Sequence, residues 1–249
     1  PAPLSHRMPL SALSFKGRYL GETERLEVTK MDIDLGGPKA SLTAVADGFT
    51  GIQDLAGANI FIDIKGSIFD VPFDRLRSFW PAALGADVRR WMVAHLSDGV
   101  IHQLQAEMRL WMSAGAFELV SVNGDMMVSG VSVDYLPPLP PVRNIDAKIT
   151  FDEKSFNIFI SGGESENLTI GKGTIFISGL DEYDQVADIT LPITGAFADT
   201  LAYLNHEPLR YAEAVGIDPA TAKGEAATEL KLNFIVRSEE HTSELQSHL

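Results

Sequence analysis

Ile60-Phe61-Ile62-Asp63-Ile64-Lys65-Gly66 and Ile189-Thr190-Leu191-Pro192-Ile193-Thr194-Gly195 are the stretches that decide how this chain folds. In both, every second residue is a branched apolar one. That period of two sends successive side chains to opposite faces of a β-strand, so each stretch buries one face only. The same alternation recurs at Leu26-Val28, Met31-Ile33-Leu35, Leu42-Ala44-Ala46, Ile149-Phe151, Phe156-Ile158-Ile160, Leu168-Ile170 and Ile175-Ile177. Gly36-Gly37-Pro38, Asp47-Gly48, Gly162-Gly163, Gly171-Lys172-Gly173 and Gly179 punctuate these runs as turns. A long sheet region is expected from Gly99 to Tyr135, with Gly115 and Asn123-Gly124 as hairpin signals. The pattern predicts a mainly β chain with a few short helices, built on an elongated, curved antiparallel sheet: an open β-groove made from repeats.

Helical periodicity is confined to short patches. Phe73 to Phe79 is one, and it stops at Trp80-Pro81. Asp87 to Leu96 is the clearest, with Asp87 as its cap and Val88, Trp91, Met92 and His95 on one face. Phe197 to Asn205 and Leu209 to Val215 are two more. Each of the two opening stretches is thus followed by a short helix and an X-Pro pair, Trp80-Pro81 or Glu207-Pro208. The expected organisation is a first β-repeat region over 1–136, with helices near 73–79 and 87–96. A second β-repeat region follows over 142–236, with helices near 197–215 and cut short at its end. The Pro137-Pro138-Leu139-Pro140-Pro141 run is the rigid connector between them.

The last stretch, Arg237 to Leu249, reads RSEEHTSELQSHL, which is the translation of a common sequencing adapter from Arg237 through Ser247. Residues 237–249 are therefore expected to be non-native and are set aside from fold reasoning, as a fusion scar would be. Pro1 in place of Met, with no charged segment leading into an apolar one, is what an internal piece of a longer protein presents.

Of the 249 residues 45% are hydrophobic, enough for a substantial core, and the formal net charge is −14. An acidic excess spread along the chain excludes a nucleic-acid partner, which needs a basic stripe to displace counterions. Cysteine is absent, which removes disulfides, thiolate metal sites and thiol nucleophiles, and accords with an oxidising compartment. No run approaches the ~18 consecutive apolar residues of a spanning helix.

No catalytic constellation emerges, so the chain is expected not to be an enzyme and to need no cofactor. His6, His95, His102 and His206 have no partner at metal-ligand spacing. Gly171-Lys172-Gly173 reads as a hairpin turn and not a phosphate cradle. Asp181-Glu182-Tyr183-Asp184 lacks the spacing and glycine of a calcium loop, and a solvated turn accounts for it. Arg89-Arg90 beside Trp91 has the composition that favours lipid headgroups. A helix that buries Trp91 on the sheet and solvates its arginines explains the same residues without lipid.

Strongly alternating strands outnumber the helices that would cover them, so a sheet of this extent must close on itself, pair with another sheet, or leave an apolar face open. An ordinary closed sandwich or barrel is the alternative to the open face. An open trough of Ile, Val, Leu and Phe is a lipid-binding surface.

Three sets of residues carry a family resemblance. The first is Trp80-Pro81, Val88-Arg89-Arg90-Trp91 and Asp98-Gly99. The second runs from Val128-Ser129-Gly130-Val131-Ser132-Val133-Asp134-Tyr135-Leu136-Pro137 into Pro138-Leu139-Pro140-Pro141-Val142. The third is Asp199-Thr200-Leu201, Pro208-Leu209-Arg210-Tyr211-Ala212, Gly216-Ile217-Asp218-Pro219 and Gly224. Over about Trp80 to Val236 the chain resembles the AsmA-like superfamily of Gram-negative envelope proteins, most closely the central region of its large YhdP-type members. The resemblance implies a periplasmic protein anchored in the inner membrane by an N-terminal helix upstream of this stretch. It also implies a repeat-built β-groove conducting phospholipid between the two membranes, and it carries no catalytic residues.

The expected lining of such a groove is Ile60, Ile62 and Ile64, then Ile149 and Phe151, then Phe156, Ile158 and Ile160. Ile175, Ile177, Ile189, Leu191 and Ile193 complete it. Phospholipid acyl chains are the expected partner, with other envelope proteins as further partners. The face assignment depends on register, because a slip of one residue inverts it. The competing expectation is a structural scaffold of the envelope with a closed core and no ligand. A third is an enzyme whose active site lies outside this stretch.

Overall fold

A computed structural model describes residues 10–49, 59–80, 86–113, 116–182, 184–214 and 216–236. Among them twelve strands form one antiparallel sheet. They are β1 (Ala12–Leu20), β2 (Arg25–Asp34), β3 (Lys39–Asp47), β4 (Asn59–Pro72), β5 (Leu96–Ser113) and β6 (Ala116–Val133). Then come β7 (Val142–Asp152), β8 (Ser155–Ser165), β9 (Leu168–Ile170), β10 (Gly173–Ser178), β11 (Gln185–Ala196) and β12 (Glu225–Val236). The spatial order is the chain order from β1 to β8, continuing through β10, β11 and β12, while the short β9 pairs with β8 and β11. By compactness the chain divides into two units. The first holds the described residues of Pro1–Arg90, Val100–Met127 and Thr150–Glu153, and the second those of Trp91–Gly99, Val128–Ile149 and Lys154–Leu249.

The apolar alternation shifts phase between Leu26-Val28 and Met31-Ile33, and the structure shows why. β2 is one strand with a bulge between Val28 and Met31, where β1 also shifts register at Lys16/Gly17. The extra residue lets Val28 pair with Ala44 and Met31 with Leu42, so both halves keep the same face.

Two long strands each run into a helical excursion and return antiparallel to themselves. β4 passes through a 3-10 turn at Phe73–Arg75, α1 (Leu76–Phe79) and α2 (Ala86–His95) before returning as β5. β11 passes through α3 (Phe197–Leu204), α4 (Tyr211–Ala214) and a 3-10 turn at Pro219–Thr221 before returning as β12. Full burial concentrates near these excursions. Val71 and Ile101 face each other across β4 and β5, and Phe73 and Leu76 follow them into the interior. Ile60, only 1% exposed, forms a separate small core with Ala46 and Met112, against which Leu26 and Ile62 pack. Burying one such isoleucine contributes about 1.5–3 kcal/mol.

Three expectations change. Asn123-Gly124 is no hairpin turn, since it lies inside β6. A Cβ at Gly124 would come 2.3 Å from the Gln105 carbonyl oxygen and 2.6 Å from Phe151 Cζ, so the glycine serves close approach of neighbouring strands. The proline run does not span between sheets; it turns β6 back to its neighbour β7, with the Leu139 N–H donating to the Leu136 carbonyl at 2.9 Å. On α2, Met92 takes the buried position, while Trp91 stays 41% exposed and lies against the His95 ring at 5.2 Å. Arg89 is not left to water either: its guanidinium donates to the carbonyls of Trp80 at 3.0 Å and Arg77 at 3.1 Å. A ten-residue helix has one narrow buried stripe, and Met92 fills it. The Gly115 turn signal, Pro81, Val215, the Asp87 side chain and the adapter-like residues 237–249 lie outside the described residues.

Gly124→Ala is expected to destabilise the fold by about 1–3 kcal/mol, because the strand backbone cannot yield as a side chain would. Chemical denaturation of the parent and the variant measures the difference, and equal midpoints would refute the packing account.

Candidate functional site

In the first unit the register joins strands into apolar rows. Directly opposed residues of an antiparallel pair share a face, so each row is a line of side chains on one side of the sheet. Tyr19, Leu26, Ala46, Ile62 and Leu110 form one row across β1 to β5. Gly17, Val28, Ala44, Ile64 and Met108 form the next. Phe15, Met31, Leu42, Gly66 and Ala106 follow, and Leu13, Ile33, Ala40, Ile68 and Leu104 complete the set. None of these rows contains a charged residue. Coverage weakens toward β1, where Leu13, Phe15 and Tyr19 are about half exposed (54%, 57% and 49%). An open depression of ≈ 440 Å³ at this end of the sheet draws most of its lining from reverse-face rows, Ala12, Asp34, Lys39 and Phe69 with Ser14, Asp32 and Ser41, and only Leu13, Ile33 and Ala40 from the apolar face.

The reverse face is built differently. Arg18, Glu27, Val45, Asp63 and Arg109 form a row in which every charge is paired. Glu27 accepts from Arg18 at 2.6 Å and from Arg25 at 3.0 Å, and Arg25 also reaches Asp47 at 2.8 Å. Arg109 holds Asp63 through two bonds of 2.7 and 2.8 Å, and Lys65 meets Glu107 at 3.0 Å. Asp32 accepts from the Ser41 hydroxyl at 2.9 Å. These bonds hold three carboxyls below the ordinary carboxylate range. Arg18 and then Arg25 do so for Glu27, Lys30 and then Ser41 for Asp32, and Arg109 for Asp63. Phe61 and Phe69 interrupt this face as exposed aromatics.

The second unit repeats the division. Phe156, Ile177, Ala187 and Phe234 form a row across β8, β10, β11 and β12, and Ile158, Ile175, Ile189 and Leu232 form its neighbour. Ile160 faces Gly173, Leu191 faces Leu230, and Ile193 faces Ile170 of β9 on the same side. The reverse side carries Asn157, Phe176, Asp188 and Asn233, then Phe159, Thr174, Thr190 and Lys231.

The expected lining residues therefore fall into place by strand. Ile62 and Ile64 are half-buried on the apolar rows of the first unit, and Ile60 sits on the same face but within the core. Phe156, Ile158, Ile160, Ile175, Ile177, Ile189, Leu191 and Ile193 share the apolar face of the second. Ile149 and Phe151 lie two apart on β7 and so share a face of that strand. Sequence reasoning missed Leu13, Phe15 and Tyr19 on β1, Met108, Leu110 and Met112 on β5, and Leu230, Leu232 and Phe234 on β12. Each set has the same period of two. Flanking charge and aromatics on the reverse face, Arg18, Arg109 and Trp111 among them, mask it.

Among the described residues no group of three or more His, Asp or Glu is placed to hold a metal ion, and no helix is long and apolar enough to cross a membrane. The family model described as YhdP protein matches residues 9–247 of this chain. The chain belongs to the YhdP family. No curated protein and no solved structure matches it. Membership of the YhdP family points to a protein of the bacterial envelope, in agreement with the resemblance carried by Trp80 to Val236.

The paired carboxylates of the reverse face set an acid limit. Groups with depressed values contribute stability that is complete above the ordinary carboxylate range and is lost as pH falls through their folded-state values, below about pH 4. Thermal melts between neutral pH and about pH 2.5 should show this fall, and Asp63→Asn should make it shallower. An unchanged slope in the variant would remove Asp63 from the account.

Proposed function

We propose that this chain is a segment of a bridge-like envelope protein that binds phospholipid by its acyl chains and conducts it between inner and outer membranes, without catalysing a reaction. The observation that carries this reading is the segregation of faces. Rows free of charge cross five strands in the first unit and four in the second, while the reverse carries the ion pairs and polar side chains, interrupted by the exposed aromatics Phe61, Phe69, Phe159 and Phe176. Each acyl methylene transferred from water to such a face gains about 0.8 kcal/mol, with no need for a specific hydrogen bond. A surface of interchangeable aliphatic contacts holds a chain while leaving it free to slide, because no single position binds it much more tightly than the next. Headgroups stay in water in this scheme. Family membership supports a role in the bacterial envelope, and the full-length parent is proposed to reside in the periplasm with an inner-membrane anchor.

A scaffold without ligand is favoured by the buried part of the apolar face: the small core at Ile60, Ala46 and Met112, with Leu110, Ala187 and Leu191 also buried, shows that part of that face is used for packing. Ile62, Ile158 and Ile175 are half-buried and separate the two readings. Full-length protein purified gently and analysed by mass spectrometry is expected to carry phospholipid. Ile62→Asp together with Ile158→Asp should lower that content on the order of tenfold, since a carboxylate on an apolar face must stay hydrated. Thr43→Asp, on the reverse face, should leave it unchanged. Parent protein free of lipid, or an Ile→Asp variant that retains both its lipid and its envelope function, would sink the proposal.

A further inference from the structure

The reverse face of the first unit carries two features that its ion pairs do not account for. The first is aromatic. Phe61 and Trp111 stand directly opposite each other on β4 and β5. Phe61 is 47% exposed, Trp111 is half-buried, and the Arg109 guanidinium lies 5.9 Å from the centre of the Phe61 ring. Aromatic area kept in water on a face otherwise given to charge is the informative kind of exposure. Polar pairs flank it in the adjoining rows. On one side the Ser113 hydroxyl donates to the Asn59 amide oxygen at 2.8 Å, and on the other Asp63 is held by Arg109. Asp47, the neighbour of Phe61 on β3, is held by Arg25.

The second feature is an open depression of ≈ 380 Å³ further along the same strands. Thr43, Ser67, Gln105 and Asn123 bring hydroxyls and amides to its lining, beside the Lys65–Glu107 pair and Asp125. Lys65 lies four residues from Phe61 along β4 and on the same face, so depression and aromatic pair are about 13 Å apart.

This combination selects a ligand chemistry. Asp63, Asp47 and Lys65 already have opposite charges beside them, so an ionic ligand gains little from them. Asp125 leaves the depression acidic in balance, which disfavours phosphates and carboxylates. An acyl chain would leave the hydroxyls and amides without partners. A peptide cannot add as a strand here, because the backbone groups of β4 and β5 are engaged in ladders on both sides. A sugar meets all of these conditions. Its C–H face stacks on an aromatic ring, while its neutral hydroxyls bond to amides, hydroxyls and paired carboxylates.

We propose that the reverse face of the first unit binds a neutral oligosaccharide, with one ring stacked on Phe61 and Trp111 and another ring of the same chain hydrogen-bonded in the depression at Thr43, Ser67, Gln105 and Asn123. The site lies on the side of the sheet opposite the acyl-chain rows and stands independently of the function proposed above.

Calorimetric titration of the full chain with chitotetraose, a neutral tetramer of N-acetylglucosamine, and in a separate run with maltotetraose, is the test. Saturable binding of at least one of them is expected. Phe61→Leu should weaken it about tenfold, whereas Phe61→Tyr, which keeps the ring, should bind as the unaltered chain does. Gln105→Leu combined with Asn123→Leu should also weaken it about tenfold, through lost hydrogen bonds at exposed positions. Phe159→Ala removes an exposed aromatic from the reverse face of the second unit and should leave binding unchanged. Thermal melts of each variant separate loss of fold from loss of ligand, and the Gln105 and Asn123 changes carry the decision if Phe61→Leu unfolds the chain. Failure of the unaltered chain to bind either tetramer, or binding that the folded variants at Phe61, Gln105 and Asn123 leave intact, overturns the proposal.

Discussion

Antiparallel backbone pairing that sets Ala46 beside Ile62, and Ile62 beside Leu110, is the constraint on which the other features of this molecule depend. Once those pairs form, the identity of every face is decided, because side chains alternate strictly along each strand. The bulge at Val28/Met31 illustrates how tightly the constraint acts. Two apolar runs of opposite phase occupy β2, and the strand accommodates them by extruding a residue so that neither run turns over.

Charge pairing on the reverse face is a second consequence of the same register. Arg109 and Asp63, or Lys65 and Glu107, are distant in sequence and become neighbours only because their strands pair in this alignment. A slip by one residue would bring these charges onto the aliphatic side and send Ile62 and Ile64 into the ionic one. The exposed pairs contribute little to stability individually. Their larger effect is to penalise the wrong alignment, as opposed charges and like charges do across any strand pair.

Much of this was legible in the sequence, and the reasons for the gaps are specific. Ile62-Asp63-Ile64-Lys65 and Ile189-Thr190-Leu191 announce strands because aliphatic residues alternate with non-aliphatic ones cleanly there. Leu110-Trp111-Met112 does not, because a large aromatic on the reverse face breaks the contrast that such a pattern relies on. Asn123-Gly124 carries a strong turn signal, yet the glycine answers a different need, the approach of Gln105 and Phe151. Which residues meet across strands is a long-range property that no local pattern encodes. Hence the members of each face could be listed strand by strand, while the rows they form, and the bonds from Asn167 to Asp199 and from Glu166 to His206, became visible only in three dimensions.

From β1 to β8 every strand hydrogen-bonds to the strand that precedes it in the chain, and only the short β9 departs from that order later. Such a meander stores almost no information in contacts between distant parts of the polypeptide. Loop-closure entropy is met in small instalments, each rewarded at once by a new ladder of bonds. A chain delivered end first, through a pore or from a ribosome, can therefore lay down its sheet as it arrives, each strand templating the next. The same nearest-neighbour logic makes the architecture extensible: another pair of strands adds its own ladder and its own stretch of surface without disturbing those already in place.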